Sequence, residues 1–341
     1  MTDAGQPDPA APDGDAAPDD APRQAPPSSP FTLQGRVAPG LYLAGWLGSG
    51  LGLGLLVVAV LGGPTGPVGL VLVLAALVLL VVGLISAAGA QGIQRRAEGR
   101  VGFGGPSPFL VLAACLPVTV LGVVLLLGPA GAAGLDVRSP LASLLSLLIT
   151  AAVYIALIRL LVVDPGALSW AQMGLRRVHP GAALADLGLG ASMALPVVVV
   201  TGLVAGVLVP LLGTTPPSPL PVTGTTPGLI LNFLSAAIVA PIGEEVFFRG
   251  FATTAWLRSL GPRSAILRGA AFFALVHVLT IGAPTFAEAA PQALIGFVAR
   301  IPVGLALGWI FVRRGSLYAS IGLHAAFNGL LMVLAEAARA G

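Results

Sequence analysis

Two adjacent carboxylates, Glu244 and Glu245, stand in an apolar run that begins near Gly228, and Arg249 follows four residues after the second. No other acidic residue occurs between Leu187 and Phe286. A carboxylate in hydrocarbon is costly unless it is paired, protonated or hydrated, so residues of this kind mark function by default. Three further polar residues lie downstream in apolar surroundings: His277 in one run, His324 and Asn328 in another. Glu245 and Arg249 are spaced i, i+4 and can pair on one helix face. Glu244 is turned about 100° from Glu245 and must face something else. Phe273 and His277 share a face by the same spacing, as do His324 and Asn328. A carboxylate beside a neutral imidazole can take a proton from water, and His and Asn donors can hold a developing oxyanion. Two His and one Glu are also the donor set of a zinc site, which makes Glu244, His277 and His324 the metal candidates and zinc the candidate ion, although nothing in the spacing requires a cofactor. There is no GxSxG and no HExxH. The single cysteine, Cys115, lies in an apolar run, so disulfide and CxxC chemistry are excluded.

The elements that must position these residues are membrane helices. The chain is 56% hydrophobic and 9% charged, against about 25% charged in a soluble domain. Apolar runs long enough to cross hydrocarbon as helices fall at 41–63, 68–90, 109–128, 141–163, 188–212, 228–250, 266–283, 291–312 and 315–336, the seventh being short. The expected fold is an all-α polytopic transmembrane helix bundle of eight or nine spans. All basic residues are Arg, and they cluster in alternate loops: Arg95, Arg96 and Arg100; Arg176 and Arg177; Arg258, Arg263 and Arg268; Arg313 and Arg314. They read as topology signals and not as a nucleic-acid surface. The positive-inside rule then gives a multi-pass cell-membrane protein with a cytoplasmic N-terminus. With Arg249 taken as the membrane edge, the polar set falls in the cytoplasmic half and a substrate is expected from that side. The Ala, Gly and Pro excess without Lys suits a GC-rich bacterial genome.

Residues 1–38 are rich in Pro, Ala and Asp and read as a disordered acidic tail. Residues 39–167 form the N-terminal transmembrane helices, and 168–341 the core that carries the polar set. Gly48 with Gly52 and Gly50 with Gly54 make overlapping small-xxx-small pairs suited to close helix approach. Gly188 and Gly190 form a GxG of no weight as a nucleotide loop. The segment Ser169 to Pro180 is expected as a short amphipathic stretch on the membrane surface. Arg300 lies mid-span, where an unpaired charge is expensive and a partner inside the bundle is expected.

The stretches EEVFFR (Glu244–Arg249), FALVH (Phe273–His277) and HAAFN (His324–Asn328) resemble the ordered motifs EExxxR, FxxxH and HxxxN of the CPBP family, the CAAX prenyl protease type II and bacteriocin-processing group of intramembrane proteases. The resemblance covers about residues 168–336. It implies an intramembrane endopeptidase acting on a peptide or protein substrate in the lipid bilayer. By the same resemblance, Glu244 and His277 activate water, His324 and Asn328 serve the oxyanion, and Glu245 and Arg249 are structural or substrate-orienting. Metal-dependent and metal-free glutamate mechanisms both remain open for the family. Two other classes compete: a non-catalytic scaffold or bacteriocin-immunity protein that keeps the motifs as a polar network, and a transporter or proton relay. No inverted repeat of broken helices supports the last.

Overall fold

The structure, a computed structural model, describes residues 31–63, 66–217, 223–279 and 281–340. The chain forms two units, residues 1–36 and 37–341. Of the first, residues 31–36 are described: a turn in which Gln34 N donates to Thr32 Oγ1 at 3.2 Å. The expected disordered tail lies, over residues 1–30, outside the described residues.

The second unit is helical throughout its ordered elements, with no strand among the described residues. In chain order these are α1 (Pro39–Leu61), α2 (Gly66–Ala97), α3 (Pro108–Ala132), α4 (Pro140–Val163), α5 (Pro180–Ser192), α6 (Ala194–Leu212), α7 (Thr226–Leu260), α8 (Pro262–Val278), α9 (Phe286–Arg314) and α10 (Leu317–Ala340). Proline opens several of them at the first helical turn, where its missing N–H costs nothing. Among the described residues, eight spans are long and apolar enough to cross a membrane, α5 and α6 together making one of them. The short seventh run becomes α8, of 17 residues, about 26 Å long by helical rise. The protein is an all-α multi-pass membrane protein.

Side chains facing outward are apolar, as lipid requires: Leu203, Val207 and Leu211 of α6 are all exposed. Between helices, glycine sets the distance of closest approach. Gly48 of α1 lies against Gly83 of α2, and Gly52 against Ala76 and Leu80, whereas Gly50 and Gly54 meet nothing within 4 Å. One of the two overlapping pairs is therefore the helix contact. Gly190 of α5 touches the backbone of Ala319 in α10, and Gly322 of α10 touches that of Leu187. The GxG is thus half of a backbone crossing.

The arginine-bearing connections gather at one end of the bundle. A Cβ on Gly102 would meet Arg258 O at 2.9 Å, and Arg176 Nη2 donates to Gly315 O at 2.6 Å. The segment expected as an amphipathic stretch on the membrane surface is instead a set of turns docked into this end. Leu168 and Met173 are buried, and Gly174, at φ +86°, accepts from Leu317 N at 3.2 Å. Its arginines face outward, but its apolar residues find a better home in the bundle than on a lipid surface. At the opposite end the α3–α4 connection (Asp136, Arg138) lies beside the start of α7 (Thr225, Gly228).

Candidate active site

Helix α7 carries the paired carboxylates, and it is not a regular α-helix. Two π-helical stretches, Leu234–Val239 and Val246–Thr253, flank the short α segment Ala240–Glu245. Such insertions recur at functional sites because they rotate one part of a helix against another and loosen its carbonyls. Here the loosened carbonyls find side-chain donors. Thr253 Oγ1 donates to Phe248 O at 2.8 Å, and Thr254 Oγ1 to Arg249 O at 3.3 Å, each five residues back. In the first stretch, Ala236 O accepts from Asn328 Nδ2 at 2.7 Å.

Glu245 and Arg249 form the expected pair, with Nη1 to Oε1 at 3.0 Å and both side chains buried. The pair is part of a larger assembly. Arg249 Nη2 donates to Gly304 O of α9 at 3.4 Å, and the guanidinium carbon lies 4.4 Å from the centre of the Phe273 ring, a cation–π contact. Glu245 Oε1 also accepts from His324 Nδ1 at 2.8 Å. One ion pair therefore ties α7, α8, α9 and α10 together.

Glu244 faces elsewhere, as the helix rotation required. His277 Nε2 lies 3.4 Å and His324 Nε2 3.8 Å from its Oε2, which makes no hydrogen bond among the described residues. The other nitrogen of each ring is already committed. His277 Nδ1 donates to Phe273 O at 2.7 Å, because a carbonyl can only accept, and His324 Nδ1 donates to the Glu245 carboxylate. A ring bonded in this way carries a lone pair on Nε2 when neutral and a second N–H there when protonated, and Nε2 is the atom nearest Glu244. The two Nε2 atoms and the Glu244 carboxylate oxygen therefore face one another, close enough for a proton or one small molecule to be shared between carboxylate and imidazole.

These groups line a cavity of ≈730 Å³ with Asn328, Phe273 and Arg300. All four polar residues that the sequence singled out as the chemical set, Glu244, His277, His324 and Asn328, border this one space, while Glu245 and Arg249 lie behind its wall. Among the described residues no three His, Cys, Asp or Glu side chains are arranged to hold a metal ion.

The direction of the cavity differs from expectation. Its wall continues from Glu244 along Ala240, Ala236 and Asn232 of α7, along Leu331 and Ala335 of α10, and to Val137 in the α3–α4 connection. All of these lead away from the arginine-bearing end. On that other side the site is closed by Arg249, Phe247, Phe248, Phe251 and Leu317, each buried to within about a per cent. Arg249 reads in the sequence as the membrane edge, yet α7 runs on to Leu260 and Arg249 is core. Sequence reasoning also missed Ser143 and Ser146 of α4, which line the cavity. Ser139, Ser143, Ser146 and Thr150 recur at helical spacing in an otherwise apolar run, and that stripe was the available signal.

Residues 226–330 match the family model described as Type II CAAX prenyl endopeptidase Rce1-like. The matched segment contains all three motifs and is consistent with the CPBP family of intramembrane proteases. No curated protein and no solved structure matches the chain. The Rce1-like segment spans α7 to α10 up to Leu330, the four helices that the Glu245–Arg249 assembly binds together. Helices α1 to α6 lie outside it, although α4 and α6 contribute Ser143, Ser146 and Thr201 to the cavity wall.

Proposed function

We propose that this protein is an intramembrane endopeptidase that hydrolyses peptide bonds of membrane-associated substrates with water activated by Glu244 and His277. The observation that carries the reading is the unbonded Glu244 oxygen facing two imidazole nitrogens inside a cavity. A water placed there directs one hydrogen to Glu244 and the other to His277 Nε2, which turns an oxygen lone pair toward the scissile carbonyl. As the C–O bond forms, the water proton passes to Glu244. Glu244 then delivers it to the departing amine nitrogen when the C–N bond breaks, leaving an acid and an amine. The developing oxyanion is met by Asn328, whose amide has a second N–H beyond the one given to Ala236 O, and by His324. With Nδ1–H committed to Glu245, His324 donates from Nε2 only when its ring carries a second proton. Glu245 and Arg249 hold His324 and set the register of α7.

Glu244→Gln keeps the shape of the side chain and removes its basic oxygen. In purified protein the change is expected to leave folding intact and to lower cleavage of a peptide library by at least about a hundredfold, the contribution of a general base. His277→Ala should behave alike, and the double change should cost little more than either single one, because groups acting as a unit are not additive. A chelator in the same assay is expected to leave the rate unchanged. Loss of activity on chelation, restored by added zinc, would move the reaction onto a metal held by Glu244, His277 and His324. Undiminished turnover by the Glu244→Gln protein would remove Glu244 from the mechanism and favour the scaffold reading.

A further inference from the structure

Arg300 stands midway along α9, half-buried on the wall of the cavity that holds Glu244 and His277. Its Nη1 donates to Gly296 O, one turn back on the same helix, at 2.9 Å. No carboxylate among the described residues lies within ion-pair distance of it. Glu244 reaches it through its field alone. The contrast with Arg249 is direct: that guanidinium has a carboxylate, a second helix's carbonyl and an aromatic face.

The local sequence makes room for this side chain. A Cβ at position 296 would stand 3.2 Å from Arg300 Nη1, so glycine there lets the guanidinium lie close along the helix backbone. A permanent charge held in a cavity within the bilayer, with one carbonyl for a partner among the described residues, is costly. A counter-ion arriving with the ligand offsets that cost. The planar guanidinium fork matches a carboxylate, which it can bind through two parallel N–H bonds.

We propose that Arg300 is a specificity residue that binds a carboxylate of the peptide substrate and so fixes which bond lies over Glu244. The proposal rests on the protease reading for its consequence and on the unpaired cavity cation for its chemistry. A carboxylate reaches the cavity either as an acidic side chain or as the chain terminus.

Binding is measured in the Glu244→Gln background, by fluorescence anisotropy of labelled apolar peptides in detergent micelles. One pair differs only in a free or amidated C-terminus, and another, amidated in both members, carries Glu or Gln within the peptide. In one of the two pairs the carboxylate form is expected to bind about tenfold more tightly, the scale of one charge-assisted contact. Arg300→Gln should abolish that ratio and Arg300→Lys should restore part of it. Which pair responds identifies the source of the carboxylate. Equal affinities within both pairs, or a ratio that survives in a folded Arg300→Gln protein, would overturn the assignment. Because the readout is binding, carboxylate preference without cleavage by the wild-type protein would sustain the site while refuting the protease.

Discussion

Glu244 and Glu245 are neighbours in the chain and opposites in circumstance. Glu245 is fully buried and holds Arg249 and His324, whereas Glu244 keeps a fifth of its side-chain surface open to the cavity. The i, i+4 spacing was enough to read the Glu245–Arg249 pair from the sequence, and the turn of about 100° between the two glutamates was enough to separate their roles. The third partner, His324, was out of reach, because its bond depends on how α10 crosses α7. That partner changes what substitution does. Arg249→Leu leaves a buried carboxylate without its cation and is expected to cost about 3–5 kcal/mol. Glu245→Gln combined with Arg249→Leu should recover part of that loss, since no buried charge is stranded. Thermal unfolding in detergent measures both, and a double variant weaker than Arg249→Leu alone would refute the pairing.

The helices were legible as elements but not in their contacts. Apolar runs placed α1, α3 and α4 within a few residues, since length and hydropathy are local properties, but stopped α2 and α7 short of Ala97 and Leu260 and merged α5 with α6. The π-helical stretches were invisible, because a one-residue change in hydrogen-bond register leaves no compositional trace. Glycines were legible as small and illegible as neighbours. Gly188 and Gly190 read alike, yet nothing lies within 4 Å of a Cβ on Gly188, while one on Gly190 would run into the backbone of Ala319. Gly190→Val is therefore expected to force α5 off α10 and, with it, to disturb the turn that carries His324. Gly188→Ala should be neutral or slightly stabilising, by up to about 1 kcal/mol from helix propensity. Folded yield and unfolding temperature of the two variants separate these outcomes, and equal damage from both would refute the crossing.

For the whole molecule, composition alone was sufficient to give a polytopic helical bundle, and the arginine alternation anticipated that those loops gather at one end. It did not reveal which end the cavity faces. That depended on where α7 leaves the membrane, and a buried Arg249 mimics a boundary residue. If the arginine loops are cytoplasmic, as the positive-inside rule proposes, the cavity opens outward. Leu331→Cys in a Cys115→Ala background tests this, since Leu331 lines the cavity and Cys115 is buried. A membrane-impermeant maleimide is expected to label Leu331→Cys in intact cells and to miss it in sealed inside-out vesicles. Labelling only in the vesicles would reverse the orientation, and labelling in neither would mean that the cavity has no aqueous mouth.

The buried floor beneath Glu245, built from Arg249, Phe247, Phe248, Phe251 and Leu317, makes the cavity a cul-de-sac. A wet chamber deep in a bilayer ordinarily threatens the insulation on which an energised membrane depends, because a file of water conducts protons. Here the file ends at a wall of rings clamped around a neutralised arginine. The proposed hydrolysis would then draw on water at mid-depth while the membrane keeps its voltage, and its products would leave away from that wall.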